Sequence, residues 1–542
     1  MYASRLQGKT ALACALAWWL VTPAIGQELT NPSDNYQVDH FDIEATNWVD
    51  DEQFELTDCC DCEPSCGADG CCDDCGPSCG DACGDGCDCG DGVGCGAGVK
   101  KKDKPTCAGS HKVLFYANDF SYLNDPCYKG SCLGDCLKLM PVAGGDWGKL
   151  DIGGQIRLRY HHEEGMGRQA GVLGFNDTTN DFMLTRLRLY QNWKVNDRLR
   201  IFSEGIFADV IANDEYLPRP IDRNSADFLN LFFDFKITDN TSIRVGRQEL
   251  LFGAQRLVSP LDWANTRRTF EGIRGTVEAG DWTIDPFYTN LVPVDADNFD
   301  EANYDISFYG AYASRKFAEG ANTIDMYYLG YDNQTAGTPV RTDFSLHTVG
   351  GRLNGKFEGM PLLFDVEGAY QGGRQSGLGV DHSAAFCTCG LGHQLGGLAW
   401  KPTIWAYFDY ASGNVPGGDF NRFNDLFPLA HKYLGFIDAV NRSNISSPNC
   451  LITMAPSKKL NFLFWYYYLG ANQAEDTIPF VAVPSDQRTD SKDFGNELDF
   501  IAKYAIGPRS NILLGYSYLW AGDKIIGNSN AQFIYSQWTM NF

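Results

Sequence analysis

The chain has 542 residues, a formal net charge of −25 and an aromatic content of 13%. Beyond the first 26 residues no run of about 18 apolar residues remains, which excludes a helical membrane protein. No G-x-x-x-x-G-K-[ST] loop and no basic patch suited to nucleic acid are present. The average composition suits a soluble acidic protein, yet a β-barrel gives the same average because only alternate strand residues face lipid.

Residues 1–26 have the order of a secretory signal peptide. They contain Arg5 and Lys9, then the apolar stretch TALACALAWWLV, and then a small-x-small site ending at Gly26. Such a segment is removed on export and takes no part in the fold. The apolar run is too short to cross ~30 Å of hydrocarbon as an anchor. We therefore expect an exported chain.

The next region, 27–148, is acidic and holds most of the cysteines. Between 59 and 95 it is nearly all Cys, Gly, Asp, Ser and Pro, so it cannot bury an apolar core. A disulfide-crosslinked spacer is the leading interpretation for an exported chain, and a flexible acidic tether is another. A third is soft-metal binding by thiolates at C-x-x-C spacing, with Cys59, Cys62, Cys72 and Cys75 as weak candidates. We expect no cofactor.

From 149 to 542 short segments alternate apolar and polar residues, as strands with one lipid-facing side do. Short polar turns are predicted at 195–198, 237–242, 278–282, 317–322, 357–361, 400–402, 455–460 and 506–510. Long loops are predicted near 162–180, 210–226, 251–267, 291–303, 333–343, 372–390, 412–446, 471–494 and 521–530. Short turns on one side and long loops on the other are typical of outer-membrane barrels, with the turns in the periplasm.

These connections predict an all-β fold, a transmembrane antiparallel up-and-down β-barrel of about 18 strands over 149–542. An even strand number puts both barrel ends on the periplasmic side, together with the irregular cysteine-rich segment. The chain ends in FIYSQWTMNF, whose apolar face includes Trp538, Met540 and Phe542. This ending is similar to the assembly signal of bacterial outer-membrane barrels, which implies the barrel assembly machinery and outer-membrane lipid as partners.

Alternation also assigns side chains to the inner face of the barrel. The inward arginines are Arg157, Arg159, Arg186, Arg188 and Arg352, and the inward carboxylates are Asp365, Glu367, Glu497 and Asp499. Arginine on the lipid face near the midplane costs ~2–4 kcal/mol, so these guanidiniums are expected to point to water. The interior of a barrel of this size is too wide for side chains to fill. We expect an aqueous channel whose charges select the solute.

Three segments resemble the alginate-export family of outer-membrane barrels: 181–205, 246–275 with GRQELLFGAQRLVSPLDWANTRRTFEGIRG, and 423–440. The resemblance covers roughly 149–542 and implies an eighteen-stranded barrel with an arginine-rich conduit for an anionic uronate polysaccharide. Carried onto this chain, that conduit comprises Arg157, Arg159, Arg186, Arg188, Arg244, Arg247, Arg268, Arg274 and Arg352.

Three features mark the conduit that the resemblance implies for this chain. Alternation puts Arg244 and Arg247 on opposite faces, so at least one lies at a loop end or near a bulge. The segment 260–263 is expected to fold inward as a constriction. The inward carboxylates depart from the family's pattern, because they would repel a polyanion.

We therefore expect an outer-membrane channel for anionic or small hydrophilic solutes, with alginate as one candidate. A general diffusion porin and a structural surface barrel tethered by its crosslinked N-terminal segment are the alternatives. An enzyme would need a nucleophile, a base and an orienting group at one height on the wall, and the histidines of the sequence do not suggest such a set, so catalysis is not expected. His161 and His162, beside Glu163 and Glu164, are interpreted as a cluster at the edge of a loop.

Overall fold

The computed structural model describes residues 106–125, 128, 130–169, 175–213, 215–335, 343–477, 487–526 and 530–542. The predicted signal peptide and the cysteine cluster of 59–95 lie outside the described residues. Both remain predictions.

The regular secondary structure of the described residues is almost all β-strand. A two-residue strand, β1 (Met140–Pro141), pairs with the start of β2. The strands that follow are β2 (Lys149–Glu164), β3 (Thr179–Lys194), β4 (Leu199–Ala212), β5 (Asn224–Thr238), β6 (Thr241–Gln248), β7 (Thr269–Ala279), β8 (Trp282–Val292), β9 (Ile306–Phe317), β10 (Asn322–Gln334), β11 (Asp343–Lys356), β12 (Leu362–Gln375), β13 (Val380–Gln394), β14 (Thr403–Ala411), β15 (Ile445–Ser457), β16 (Leu460–Ala471), β17 (Asp493–Gly507), β18 (Ser510–Ala521) and β19 (Ala531–Asn541).

Strands β2–β19 form a closed antiparallel barrel. Each strand pairs with the next, and β19 returns to β2 with partners from Gln532 opposite Glu164 to Asn541 opposite Gln155. Closure leaves no unpaired strand edge, so the backbone N–H and C=O groups are satisfied within the barrel. The predicted eighteen-strand all-β fold is confirmed. Among the described residues, the helices are short 3-10 turns and none is long and apolar enough to cross a membrane.

The predicted short turns all join neighbouring strands at one end of the barrel, which we call the short-turn end; the opposite end is the long-loop end. The long loop predicted at 372–390 is wrong. Strand β12 continues to Gln375 and β13 starts at Val380, with Arg374 paired to Asp381. Gly372 and Gly373 stay in the ladder opposite Ser383 and His382, and the Tyr370 ring covers Gly372.

The outer wall is apolar, as alternation predicted. Large side chains that point away from the lumen and lie exposed on the outer face include Leu158, Leu189, Phe207, Phe233, Val245, Ile273, Met326, Val349, Leu391 and Ile534. On β2 the intervening Arg157 and Arg159 are buried. An exposed apolar wall of this kind suits contact with lipid hydrocarbon.

Two long loops fold into the barrel. Inner loop A (249–268) connects β6 to β7, and inner loop B (412–444) connects β14 to β15. A third inserted part is the mouth segment, which we define as the described residues between 106 and 139. It lies in the short-turn end, where Tyr116 packs on inward-facing Phe202 and Phe232. A disulfide joins Cys107 to Cys132 within it.

At the long-loop end, the loop 293–305 contains Asp300, a carboxyl group whose pKa is raised. Burial raises the pKa of Asp300 to about 6, and the neighbouring Asp227 carboxylate acts in the same direction. A carboxyl that holds its proton more tightly when packed stabilises the packed loop as pH falls, and that contribution is lost as pH rises through the folded pKa.

We therefore expect loop 293–305 to pack more firmly at pH 5 than at pH 7.5. Carboxyl-carbon NMR should show Asp300 titrating near pH 6. The Asp300→Asn variant, which keeps the shape without the ionisation, should remove the pH dependence of loop packing. A midpoint at the ordinary value of 3.8 would contradict this assignment.

Candidate functional site

The inner wall of β2 and β3 carries a row of four arginines: Arg157, Arg159, Arg186 and Arg188. All four point inward, as alternation predicted, and each is at most 2% exposed. Pairing of the two strands puts Arg157 directly opposite Arg186. The row therefore concentrates positive charge on one side of the lumen.

Inner loop A supplies partners for this row. Nη1 of Arg157 donates to the backbone oxygen of Asp262 at 2.8 Å, and Nη1 of Arg186 donates to the same oxygen at 3.0 Å. Nη2 of Arg159 donates to the backbone oxygen of Trp263 at 2.6 Å. The expectation that these guanidiniums face open water is wrong in this arrangement, because loop carbonyls take the place that water or a solute would occupy.

Arg188, the last member of the row, is held by carboxylates instead. Its Nε lies 2.6 Å from Glu204 Oε1, and its Nη2 lies 3.8 Å from Glu249 Oε2. Glu249 also pairs with Arg267 at the far end of inner loop A. Neither glutamate was predicted to belong to the lumen. The signal for Glu204 was its inward position on β4, whereas Glu249 is the first residue of inner loop A and has no strand position to reveal it.

Trp263 is the centre of the lumen packing. The guanidinium carbon of Arg159 lies 3.6 Å from the centroid of a Trp263 ring. The His431 ring of inner loop B stacks on Trp263 with 3.4 Å between centroids and 4° between planes. Burial lowers the pKa of His431, and the Asp438 carboxylate 3.2 Å from its Nδ1 acts in the opposite direction. The segment 260–263 is therefore inside the barrel, as predicted.

The inward carboxylates of β12 are occupied by an arginine that the strand pattern does not reveal. Arg256 of inner loop A lies 2.6 Å from Asp365 and 2.8 Å from Glu367. Arg352 of β11 lies 2.9 Å from the other oxygen of Asp365. These carboxylates hold inner loop A to the wall and are already neutralised, so they do not form a row that repels an anion.

The carboxylates of β17 hold inner loop B in a different way. Glu497 accepts the backbone N–H of Ile437 at 2.8 Å, and Asp499 accepts that of Phe436 at 3.4 Å. Gly435, the residue before Phe436, has φ +100°, and a Cβ on it would lie 2.3 Å from a Glu497 oxygen. Only glycine lets the loop backbone come this close.

The two inner loops also pair with each other. Val258 forms a parallel bridge with Phe427, and the Ser259 N–H donates to the Phe427 oxygen at 2.8 Å. Buried apolar residues of both loops share one cluster, which includes Leu257, Trp263, Phe423, Leu429, Phe436 and Ile437. Side chains of the wall cannot fill the interior of this barrel, but inner loops A and B occupy much of it. The channel is therefore much narrower than the wide aqueous channel that was expected.

The remaining arginines of the predicted conduit lie in different environments. Arg244 faces inward and pairs with Asp234 at 2.8 Å. Arg247 ends β6 on the same face as lipid-exposed Val245, so it is the member displaced to a loop end. Arg268 closes inner loop A and donates to backbone oxygens of both inner loops.

An open cavity of about 270 Å³ remains beside inner loop A. Its wall includes the cations Arg274, Lys316 and Arg352 and the carboxylates Asp285 and Asp325. Arg274 lies 2.8 Å from Asp285, whereas Lys316 has no ion pair among the described residues. The turn at 318–321 also lines the cavity, so it opens toward the short-turn end. Its lining has one more cation than carboxylates.

The other predicted site residues are placed as follows. Trp538, Met540 and Phe542 share the outer face of β19 and its end, and the Phe542 N–H donates to the Gly154 oxygen at 3.0 Å. Their role as an assembly signal stays a prediction. The four cysteines that were considered as metal ligands lie outside the described residues. Within the described residues, no group of three or more His, Cys, Asp or Glu side chains could hold a metal ion.

Comparisons with known proteins agree with this architecture. A family model described as "Alginate export" matches residues 149–535. No curated protein matches the chain. The outer membrane protein OpdK from Pseudomonas aeruginosa superposes with a TM-score of 0.51 at 10% identity, covering 72% of this chain and 98% of that one.

Two further structures superpose equally well. OpdK with vanillate gives the same TM-score, identity and coverage. A BenF-like porin from Pseudomonas fluorescens Pf-5 gives a TM-score of 0.51 at 11% identity, covering 72% of this chain and 98% of that one. At these identities the likeness establishes the barrel fold alone.

Proposed function

The chain belongs to the alginate-export family, and on that premise we propose that its barrel conducts small anionic solutes across the outer membrane. It is a bacterial outer-membrane β-barrel from a family of porin and export barrels, and it is not an enzyme. In this proposal the short-turn end and the mouth segment face the periplasm. The family's name supplies alginate, a uronate polymer, as a candidate solute.

The open cavity is the observation that carries the proposal. Its volume of about 270 Å³ suits one small solute, and its lining has a surplus cation at Lys316. Guanidiniums such as Arg274 bind carboxylates in a bidentate manner, which lets an anion pass from one site to the next. OpdK, which shares this fold, has been solved with vanillate, a small aromatic carboxylate. A carboxylate of that size is the solute class that we propose here.

A polymer requires more room than this cavity offers. For a uronate chain to pass, inner loops A and B must leave the four-arginine row of β2 and β3. The guanidiniums that now bind the Asp262 and Trp263 carbonyls would then face the solute. Export of a polymer therefore requires more than passage of a small solute, because both inner loops must move.

The experiment is a planar-bilayer measurement of reversal potential in a salt gradient. We expect anion preference in the wild type, and we expect Lys316→Glu to lower the anion-to-cation permeability ratio on the order of threefold, since wall charges set selectivity by sign. Lys459→Glu is the matched control: it makes the same charge change on an exposed turn at the same end, away from the cavity lining. Cation preference in the wild type, or equal effects of both variants, would contradict the proposal.

A structural barrel is the second candidate, because both inner loops and the mouth segment fill much of the lumen. The same recording separates the two. Discrete steps with ion selectivity support a channel, while a silent membrane with correctly folded protein supports the structural role.

A further inference from the structure

We propose that the mouth segment is a built-in plug that regulates the conduit by covering guanidiniums at the short-turn end. The inference rests on the proposed function, because a plug has meaning only for a conducting barrel. The segment precedes the family match, which begins at residue 149. It therefore lies outside the part of the chain that the family model matches.

Aromatic side chains of the mouth segment are inserted against the inner wall. Phe115 lies 5.2 Å from the ring of Tyr190, and Tyr116 lies 5.4 Å from Phe232 and 6.0 Å from Phe202. All five side chains are buried. The strand residues point into the lumen, so the segment lies within the barrel mouth and not on its outer rim.

The same two aromatic residues cover the arginines of the wall. The guanidinium of Arg188 lies 3.8 Å from the Phe115 ring, and that of Arg244 lies 4.1 Å from the Tyr116 ring. Arg200 donates to the backbone oxygen of Tyr116 at 2.9 Å. Each of these guanidiniums also pairs with a wall carboxylate, Arg188 with Glu204, and Arg200 and Arg244 with Asp234. The segment covers the guanidinium faces and donors that these carboxylates leave over. An anionic solute would have to displace the segment to reach these three side chains.

The segment also contacts inner loop A. The Tyr116 hydroxyl donates to the backbone oxygen of Glu249 at 2.9 Å, and Arg267 donates to the backbone oxygen of Val113 at 3.2 Å. Displacing the segment would thus remove contacts at both ends of the loop that covers the arginine row. The plug and the constriction are physically coupled.

Hydrogen bonds and an ion pair hold the mouth segment to the barrel, and a disulfide joins two parts of the segment to each other. Arg509, in the turn before β18, binds the Tyr122 hydroxyl at 2.6 Å and Asp135 at 3.0 Å. Nζ of Lys138 donates to the Phe542 oxygen at 3.2 Å. The Cys107–Cys132 disulfide closes the segment on itself. The wall contacts are noncovalent, so the segment can leave the wall without breaking a strand.

The segment covers the side of the mouth formed by β2–β6, while the open cavity is lined by residues of β7–β11. The wild type should therefore keep a residual conductance through the cavity side. Releasing the segment should widen the mouth on the side formed by β2–β6.

The test compares bilayer conductance of the full chain with that of two variants. Phe115→Ala with Tyr116→Ala removes the inserted rings, and Cys107→Ser with Cys132→Ser removes the covalent closure while leaving every strand unchanged. We expect each to raise conductance about threefold, because the mouth widens, and to keep the anion preference. We also expect block by galacturonate, a monomeric uronate, at lower concentration, since the segment no longer covers the faces of three guanidiniums.

Matched controls are Phe233→Ala with Phe235→Ala, two lipid-facing rings, and Cys450→Ser, an exposed cysteine outside the bond. Equal conductance in the wild type and both plug variants, with anion preference retained, would overturn the plug and leave the proposed function standing. Loss of anion preference in every protein would overturn both. Because the cysteine variant touches no strand, misfolding of the aromatic variant would not decide the outcome.

Discussion

Trp263→Ala should raise the single-channel conductance on the order of twofold, because it removes the side chain at the centre of the lumen packing. Trp263 is 5% exposed and lies between the Arg159 guanidinium and the His431 ring. Removing it ends both stacks and uncovers one face of the Arg159 guanidinium, whose hydrogen bond to the backbone oxygen of residue 263 is kept. Truncation of a buried tryptophan costs about 3–5 kcal/mol, and here that cost falls on the docking of inner loop A.

Two comparisons make the Trp263 result specific. Trp263→Phe keeps an aromatic face for Arg159 and should give a smaller rise. Trp520→Ala removes a tryptophan that is 44% exposed on the lipid face and should leave conductance unchanged. If Trp263→Ala conducts like the wild type, the ion path does not pass this residue, and the constriction must lie elsewhere in the barrel.

The strands could be predicted because a barrel wall has a local rule. On β2, lipid-facing Leu158 and lumen-facing Arg157 and Arg159 alternate strictly, so the sequence alone orients each side chain. The rule fails where glycines interrupt the alternation. Residues 372–379 resemble a loop in composition, yet Arg374 of β12 pairs with Asp381 of the neighbouring strand β13.

The inside of the barrel could not be predicted in the same way. Arg157 and its partner Asp262 are 105 residues apart, and Arg256 and Asp365 are 109 apart. Inner loops have no period that would reveal such contacts. The inward carboxylates Asp365 and Glu367 were correctly oriented, but their meaning depends on Arg256, which lies in a loop. Charges that seemed to oppose an anionic solute are the sites where the inner loops bind.

The sequence reveals the direction of the wall arginines but not whether they are accessible. Their inward direction follows from the cost of placing a guanidinium in hydrocarbon, which the sequence conveys. Their availability depends on whether the inner loops and the mouth segment are in place. Arg159 and Arg188 point to the lumen and are nevertheless covered, by Trp263 and Phe115. Transport by this barrel is therefore a question of loop displacement as well as of wall charge.

Arg256→Met should destabilise the protein by about 3–5 kcal/mol, the cost of removing one partner from a buried ion pair. The guanidinium of Arg256 is 2% exposed and contacts two buried carboxylates, Asp365 and Glu367. After the substitution Arg352 still pairs with Asp365, but the guanidinium that lies 2.8 Å from Glu367 is lost. Chemical unfolding in detergent, followed by tryptophan fluorescence, measures the loss. Inner loop A should also become sensitive to protease before the barrel unfolds.

A rescue and a control identify the cause as uncompensated charge. Adding Asp365→Asn and Glu367→Gln to Arg256→Met should recover most of the lost stability, because the neutral amides no longer need the guanidinium. Arg374→Met breaks the exposed pair with Asp381, which has the same type of contact at 2.9 Å, and should cost only about 0–1 kcal/mol. If the rescue fails while Arg256→Met is strongly destabilised, the arginine acts through packing against Tyr433 and not through the carboxylates.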